Sequence, residues 1–275
     1  MSSASPLLGA ARVRTLLEKH DVRPNKSLGQ NFVVDPNTIR KTLAVAEPFS
    51  DDVVLEVGPG VGSLTVGLAE SVKRVVAIER DDRLIPVLNE VTHDLPNVEV
   101  VHADATRIDL GAFRATSLVA NLPYNIAASI VLKVLEEAST VRTITVMTQR
   151  EVGERLAAGP GTKTYGATSV LTAFFAQARV AATVSRNAFW PVPNVDSVIV
   201  RANRRNSIED RDVKAFFSVV KAAFAQRRKT LRNALAPVVG SEAGAEALLR
   251  AAGVDPSARA ESLAARDYLE LARRL

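Results

Sequence analysis

Short β-rich runs alternate with helically spaced stretches through the first half of the chain. Residues 53–57 form a short β-rich run that stops at Gly58, after which 61–71 has helical spacing. A second strand, 74–78, ends at Glu79, and 82–91 follows as a helix with Asp81 as its candidate N-cap. Residues 98–102 and 117–120 are predicted as the third and fourth strands, ending before Asp104 and at Asn121. Helix 127–137 and a fifth strand, 141–147, complete the series. Strands separated by helices predict a parallel sheet covered on both faces. Its ligand site is then expected at the carboxyl ends of the strands.

Past this region the pattern changes. Two β-rich runs, 180–184 and 195–200, flank the loop Phe189-Trp190-Pro191-Val192-Pro193 and predict a closing hairpin. From about residue 206 the spacing turns helical. Residues 213–224 are amphipathic, 229–235 continue them, and 243–252 and 263–275 follow, punctuated by Pro237, Gly240, Gly253 and Pro256. The expected organisation is a basic N-terminal arm (1–35), an α/β catalytic domain (36–203) and a small helical domain (204–275).

Charge sharpens this division. The 275 residues carry a net charge of +5, which favours a polyanionic partner, nucleic acid first. The excess is local: ten Lys or Arg face three acids between Arg201 and Arg232. The chain has no cysteine and three scattered histidines, so disulfides and Cys- or His-ligated metal are not expected. No apolar run is long enough to cross a bilayer, and the first ten residues lack the features of a secretory signal. A cytoplasmic protein is expected, and nothing demands an oligomer.

The candidate chemistry lies on the strand ends. Glu56-Val57-Gly58-Pro59-Gly60-Val61-Gly62 sits where a strand turns into a helix, and its glycines let backbone approach a ligand. A dinucleotide fingerprint needs a third glycine at position 63, which is Ser63, so NAD is disfavoured. Glu56, with no basic residue in the loop, suits a cationic sulfonium better than a pyrophosphate. Glu79 is placed to accept ribose hydroxyls and Asp104 to accept from an adenine amine. Singly, each acid is as readily a solvated strand-end residue. Three in order, each at a strand end, point to a nucleoside-bearing ligand.

Asn121-Leu122-Pro123-Tyr124 follows the fourth strand on the same rim. An aromatic exocyclic amine is a weak nucleophile because its lone pair is delocalised into the ring. Two acceptors on its hydrogens, the Asn121 side-chain oxygen and the Leu122 carbonyl, can localise that pair. Pro123 holds the turn rigid, and Tyr124 offers a ring on which an extruded base can stack. An ordinary Asn-x-Pro turn with a packed tyrosine is the competing reading of such a string.

Taken with these motifs, the chain resembles the rRNA adenine N6,N6-dimethyltransferases, most closely the bacterial KsgA type. The likeness runs through Lys26 to Phe32, Glu56 to Gly62, Glu79, Asp104 and Asn121 to Asn125. It continues through Ala158 to Gly166, Phe189 to Ser197 and Gln226 to Asn233. The resemblance implies a Rossmann-like class I fold and S-adenosylmethionine as methyl donor. It implies cofactor contacts from Asn31, the Val33 backbone, Gly58, Glu79, Asp104 and Asn121, with Tyr124 and Phe189 holding the target base. The implied reaction dimethylates two adjacent adenosines in the 3′-terminal hairpin of 16S rRNA in an immature 30S subunit. Val33, Ala120 and Trp190 depart from the family's usual residues.

Arg227, Arg228, Lys229 and Arg232 form the densest basic cluster and are expected to contact RNA phosphates, with Arg12, Arg14, Lys19, Arg23 and Lys26 adding to that surface. A solvated helix face is the plainer reading of the cluster. Three other functions remain open at this point: a large-subunit rRNA dimethyltransferase, a non-enzymatic ribosome-assembly factor, and a nucleotide-dependent oxidoreductase.

Overall fold

The computed structural model describes residues 7–25, 29–205, 210–226 and 229–275. The chain divides into two compact units, 1–153 with 179–204 and 154–178 with 205–275. The expected uninterrupted domain 36–203 is therefore not what forms, because 154–178 groups with the C-terminal helices.

The first unit is built on a seven-stranded sheet. In chain order its strands are β2 (Val53–Val57), β3 (Arg74–Glu79), β4 (Val98–His102), β5 (Ser117–Asn121), β6 (Thr143–Gln149), β7 (Ala176–Val184) and β9 (Ser197–Arg204). They lie in the order β4-β3-β2-β5-β6-β9-β7. The pairs β4–β3, β3–β2, β2–β5 and β5–β6 are parallel, and β6–β9 is antiparallel. β7 and β9 are neighbours, as the predicted hairpin requires. The central strands read as nearly continuous apolar runs because both faces are covered. Strand order reverses at β2, so the carboxyl ends of β2 and β5 border the crevice where such sheets bind ligands.

Helices α3 (Ser63–Ala69), α4 (Ile85–Val91) and α5 (Ala127–Glu137) connect the strands. α4 starts later than its spacing predicts. Pro86 fits only a first turn, so Asp82–Leu84 forms a separate 3-10 turn, capped by the Asp81 side chain. Arg204, at the end of β9, donates to the carbonyls of Val134, Leu135, Ala138 and Val141. It thereby satisfies carbonyls that the end of α5 leaves open.

The described residues of the basic arm are in fact folded. α1 (Ala10–Lys19) buries Val13, Leu16 and Leu17 in a cluster with Phe32, Val61, Leu84 and Val87. Its polar face meets Glu90 of α4, which pairs with Lys19 at 2.8 Å, His20 at 2.7 Å and Arg12 at 3.9 Å. Lys19 and Arg12 are thus engaged within the protein, and Lys26 lies outside the described residues. α2 (Pro36–Ala46) follows, with Asp35 accepting from the Asn37 and Thr38 N–H groups at its N-terminus. A two-residue β1 (Phe32–Val33) pairs antiparallel with β8 (Phe189–Trp190), which ties the N-terminal motif to the Pro-rich one.

The second unit is helical. α6 (Arg150–Ala157) enters it and α7 (Ala167–Phe175) follows; then come α8 (Asp210–Ala225), α9 (Leu231–Val239), α10 (Glu242–Ala251) and α11 (Ala265–Ala272). α9 does not continue α8: Thr230 is extended and starts a new helix. Pro237, expected as punctuation, sits inside the last turns of α9, which ends at Gly240 with φ +87°. The core is aromatic, with Phe174 stacked on Phe216 at 4.0 Å and Phe224 beside Tyr268 at 6.1 Å. Two buried hydroxyls fix the entry to α11: Tyr165 donates to the Leu263 carbonyl and Tyr268 to the Ala260 carbonyl, each at 2.7 Å. Burial pushes the Tyr165 hydroxyl up to about 12.

Candidate active site

Three loops converge at the carboxyl ends of β2, β3 and β5. Gly58 adopts φ +72°, and a Cβ there would stand 3.0 Å from Pro123 Cδ. Gly60 adopts φ +60°, and a Cβ would stand 2.8 Å from the Phe32 ring. Only glycine permits both the turn and this approach of the two neighbouring motifs.

One pocket runs along the strand ends, lined by Gly58, Glu79, Asp81, Asp104, Pro123 and Asn125 together with apolar side chains such as Val57, Ile78 and Leu84. Glu79 is buried, and its carboxylate accepts from the backbone N–H groups of Gly60 (3.1 Å), Arg80 (2.8 Å) and Asp81 (2.9 Å). Burial raises its pKa against those three donors. Asp104 accepts from the N–H (2.9 Å) and hydroxyl (2.6 Å) of Thr106, which hold its pKa down, and lies 3.5 Å from Arg80. Two acids and apolar walls in one pocket fit a nucleoside, which brings ribose hydroxyls and a base amine as donors and an apolar ring face.

A second, wider pocket of about 640 Å³ adjoins it, sharing Gln30 and Asn125. Asn31, Tyr124, Gln149 and the segment 191–195 form its walls. The Tyr124 hydroxyl is 2.9 Å from Ser197 Oγ, which fixes the ring. Burial raises its pKa, so it stays a neutral phenol.

A third, small cavity is bordered by Glu56, Val33 and Asn121. Asn121 Nδ2 donates to the Asn31 carbonyl at 3.1 Å, and its Oδ1 is buried with no hydrogen-bond partner among the described residues. Glu56 Oε2 is likewise buried and unpartnered, and burial pushes this carboxyl up to about 8, with Glu79 nearby adding to the rise. Two orphaned acceptors in one cavity fit a ligand that brings N–H donors or positive charge.

Not every expected site residue reaches a pocket. Phe189 is 1% exposed and packs in the core with Val33, Met147 and Ile199, so as folded it does not face the wide pocket. The alternation of β8 turns it inward, and Pro191 to Val195 take the wall instead. Val33 is also buried, and its carbonyl accepts from Ser63 Oγ at 2.9 Å. Leu122 is buried and its N–H donates to the Met147 carbonyl. Trp190 is half-buried against the α1 cluster, away from the wide pocket. Of the basic cluster, Lys229 is exposed, whereas Arg232 lies 3.7 Å from both Glu242 and Glu246. Arg227 and Arg228 lie outside the described residues.

Sequence reasoning assigned no role to Gln30, although it lies within the quoted N-terminal motif. Its side chain accepts from the Asn25 N–H and donates to Asp81, each at 2.7 Å, holding that segment beside both pockets. Asp81 in turn is held at about 2 by the Arg83 guanidinium. Asn125 and Gln149 line pockets as well: Asn125 ends the quoted motif Asn121 to Asn125 without an assigned role, and no residue pattern marks Gln149.

The model of the family described as ribosomal RNA adenine dimethylase matches residues 22–275. The chain belongs to that family. It is an rRNA methyltransferase, and its methyl donor is S-adenosylmethionine. The ribosomal RNA small subunit methyltransferase A of Leifsonia xyli subsp. xyli is 49% identical over 98% of each chain. The solved 23S rRNA methyltransferase ErmE is 32% identical, with a TM-score of 0.68 over 89% of this chain and 99% of its own. A dimethyladenosine transferase from Plasmodium falciparum, 24% identical, shares the fold with a TM-score of 0.75 over 86% of this chain and 94% of its own. Among the described residues no helix is long and apolar enough to cross a membrane, and no group of acids and histidines could hold a metal ion.

Proposed function

We propose that the chain dimethylates the N6 amines of two adjacent adenosines in the 3′-terminal hairpin of 16S rRNA, within an immature 30S subunit. It acts in the cytoplasm as a monomer. The observation that carries the reading is the buried, unpartnered Asn121 Oδ1 at the end of β5, held by the Asn31 carbonyl beside a pocket with a fixed tyrosine ring. The 49% identity to a small-subunit enzyme, against 32% to a 23S enzyme, favours the small subunit.

S-adenosylmethionine supplies an electrophilic methyl group on a sulfonium. Glu79 holds its ribose and Asp104 its adenine, with Gly58 and Asn31 beside it. Glu56 borders the small cavity with Asn121, and a sulfonium or ammonium charge arriving there would oppose the rise that burial imposes on its carboxyl and favour its ionised form. The target adenine enters the wide pocket and stacks on Tyr124. In the first transfer Asn121 Oδ1 and the Leu122 carbonyl accept the two amine hydrogens and in the second the one that remains; each transfer releases one N–H proton to solvent, and Pro123 keeps those oxygens fixed. Catalysis rests on positioning and electrostatics rather than on a strong general base. Lys229 and Arg232, with Arg227 and Arg228, neutralise phosphates and select by RNA shape.

The decisive measurement is methyl transfer to immature small subunits, with the product nucleoside identified by mass spectrometry. N6,N6-dimethyladenosine in the 16S 3′ hairpin is expected. Modification of large-subunit rRNA alone would overturn the proposal.

A further inference from the structure

The helical unit contains a cleft of about 420 Å³, within the range of small-ligand sites. Phe174, Ala265 and Leu269 give it apolar walls, and Pro160 closes one side. Ala265 and Leu269 are four residues apart on α11 and so share a face. Phe174 is held rigidly by its stack on Phe216 and its edge contact with Phe175 at 4.9 Å. Tyr165, also in the wall, is fixed through the Leu263 carbonyl. The walls are therefore preformed.

Two guanidinium groups border this apolar surface. Arg205 Nε donates to the Ala173 carbonyl at 2.9 Å, which anchors the side chain at the rim. Arg266 lines the cleft with its side chain 88% exposed and, among the described residues, approaches Asp267 at 3.5 Å. The unit as a whole carries fifteen Lys or Arg against ten acids, whereas the other unit carries twenty of each. An apolar slot with cations on its rim, in the unit that holds all the net positive charge, is complementary to a base bearing phosphates. A ligand that was only anionic would leave the apolar walls uncovered, and one that was only apolar would leave the guanidinium groups unused.

We infer that this cleft takes one unpaired nucleotide of the RNA substrate, its base against Phe174 and Leu269 and its phosphates on Arg205 and Arg266. The site is separate from the acceptor pocket and performs no chemistry. It rests on the reading of the chain as an rRNA-binding enzyme, and it accounts for residues 158–166, a motif that the reaction leaves without a role. Stacking contacts of this kind tolerate any base, so the cleft would read an extruded nucleotide rather than a sequence.

The test compares full-length wild type with Arg266→Glu and Ala265→Trp, the second of which fills the slot. Each is titrated with a fluorescein-labelled single-stranded adenosine hexamer and with an abasic hexamer of the same charge. Melting temperature and S-adenosylhomocysteine binding are followed alongside, and neither should change. Both variants should bind the adenosine hexamer about 5- to 10-fold more weakly. Ala265→Trp should leave abasic binding unaltered. Equal affinity in all three proteins would overturn the inference, as would equal losses for both oligomers in Ala265→Trp. Wild-type protein that binds the hexamer in this way yet methylates no small subunit would sink the proposed function and leave the cleft standing.

Discussion

The two units use ionisable groups in opposite ways. In the sheet unit positive and negative side chains balance, and two acids at the site, Glu56 and Glu79, are buried and driven upward by desolvation, while Asp104 stays partly exposed and is held low by Thr106. In the helical unit cations outnumber acids, and the carboxylates of half-buried Glu246 and exposed Asp255 are held low by Arg250 and Ser257. What that unit buries instead is neutral hydroxyl, on Tyr165 and Tyr268. The contrast fits the two tasks proposed for the units. Chemistry needs polar atoms held dry and in fixed positions, where each interaction is strong. Capture of a polyanion needs exposed cations that release counterions when RNA arrives.

Substitutions should separate the units in the same way. The largest effect is expected at Glu56. Its folded pKa, near 8, is above its ordinary value of 4.5, so its contribution to stability is full below about pH 4.5 and drains away as pH climbs through 8. Glu56→Gln should match wild type near pH 5 and exceed it near pH 9, by at most about 5 kcal/mol. Thermal melts across pH would show this, and a constant offset between the two proteins would place the Glu56 titration elsewhere. Next is Asn121→Ala, which should lower methyl transfer about 100- to 1,000-fold while S-adenosylhomocysteine and subunit binding hold. Near-normal turnover in that variant would remove Asn121 from the chemistry.

In the helical unit the expected effects are smaller. Tyr165→Phe leaves the Leu263 carbonyl without its donor and should cost about 1–2 kcal/mol in denaturant unfolding. Smallest is the double change Lys229→Ala with Arg232→Ala. It should weaken RNA binding and flatten the slope of log affinity against log salt by about 1 to 2, with turnover at saturating substrate kept. The paired state of Arg232 favours the lower figure. An unchanged slope would show that the cluster does not meet phosphate.

Legibility in the sequence followed periodicity. Strands 53–57 and 98–102 and helix 127–137 have the same bounds in the chain pattern and in the structure: 53–57 and 127–137 each bury most of a strand or an apolar helix face, and 98–102, half-exposed throughout, is marked by its valines. α1 was hidden because its charged residues outweigh three buried apolar ones, and 1–35 read as a basic arm. Residues 154–178 were assigned to the wrong unit because membership depends on partners distant in sequence, such as Glu261, whose carbonyl takes the Gly161 N–H. Gly58, Glu79, Asp104, Asn121 and Tyr124 could be read as site candidates since their order along the strand ends is itself a pattern. Gln30 and Gln149 could not, since nothing local marks a glutamine that bridges loops or lines a pocket.

The sequence by itself determined the parallel sheet, the strand-end acids, the glycine turn, the Asn121 to Tyr124 motif and the concentration of positive charge past residue 204. All of these are properties of neighbours along the chain. Tertiary structure alone decided that Phe189 turns into the core, that Lys19 is spent on Glu90, and that Glu56 and Asn121 are left with unpartnered oxygens in one cavity. Burial and pairing depend on which distant segments arrive together, and so does the free energy that makes those oxygens reactive toward a ligand.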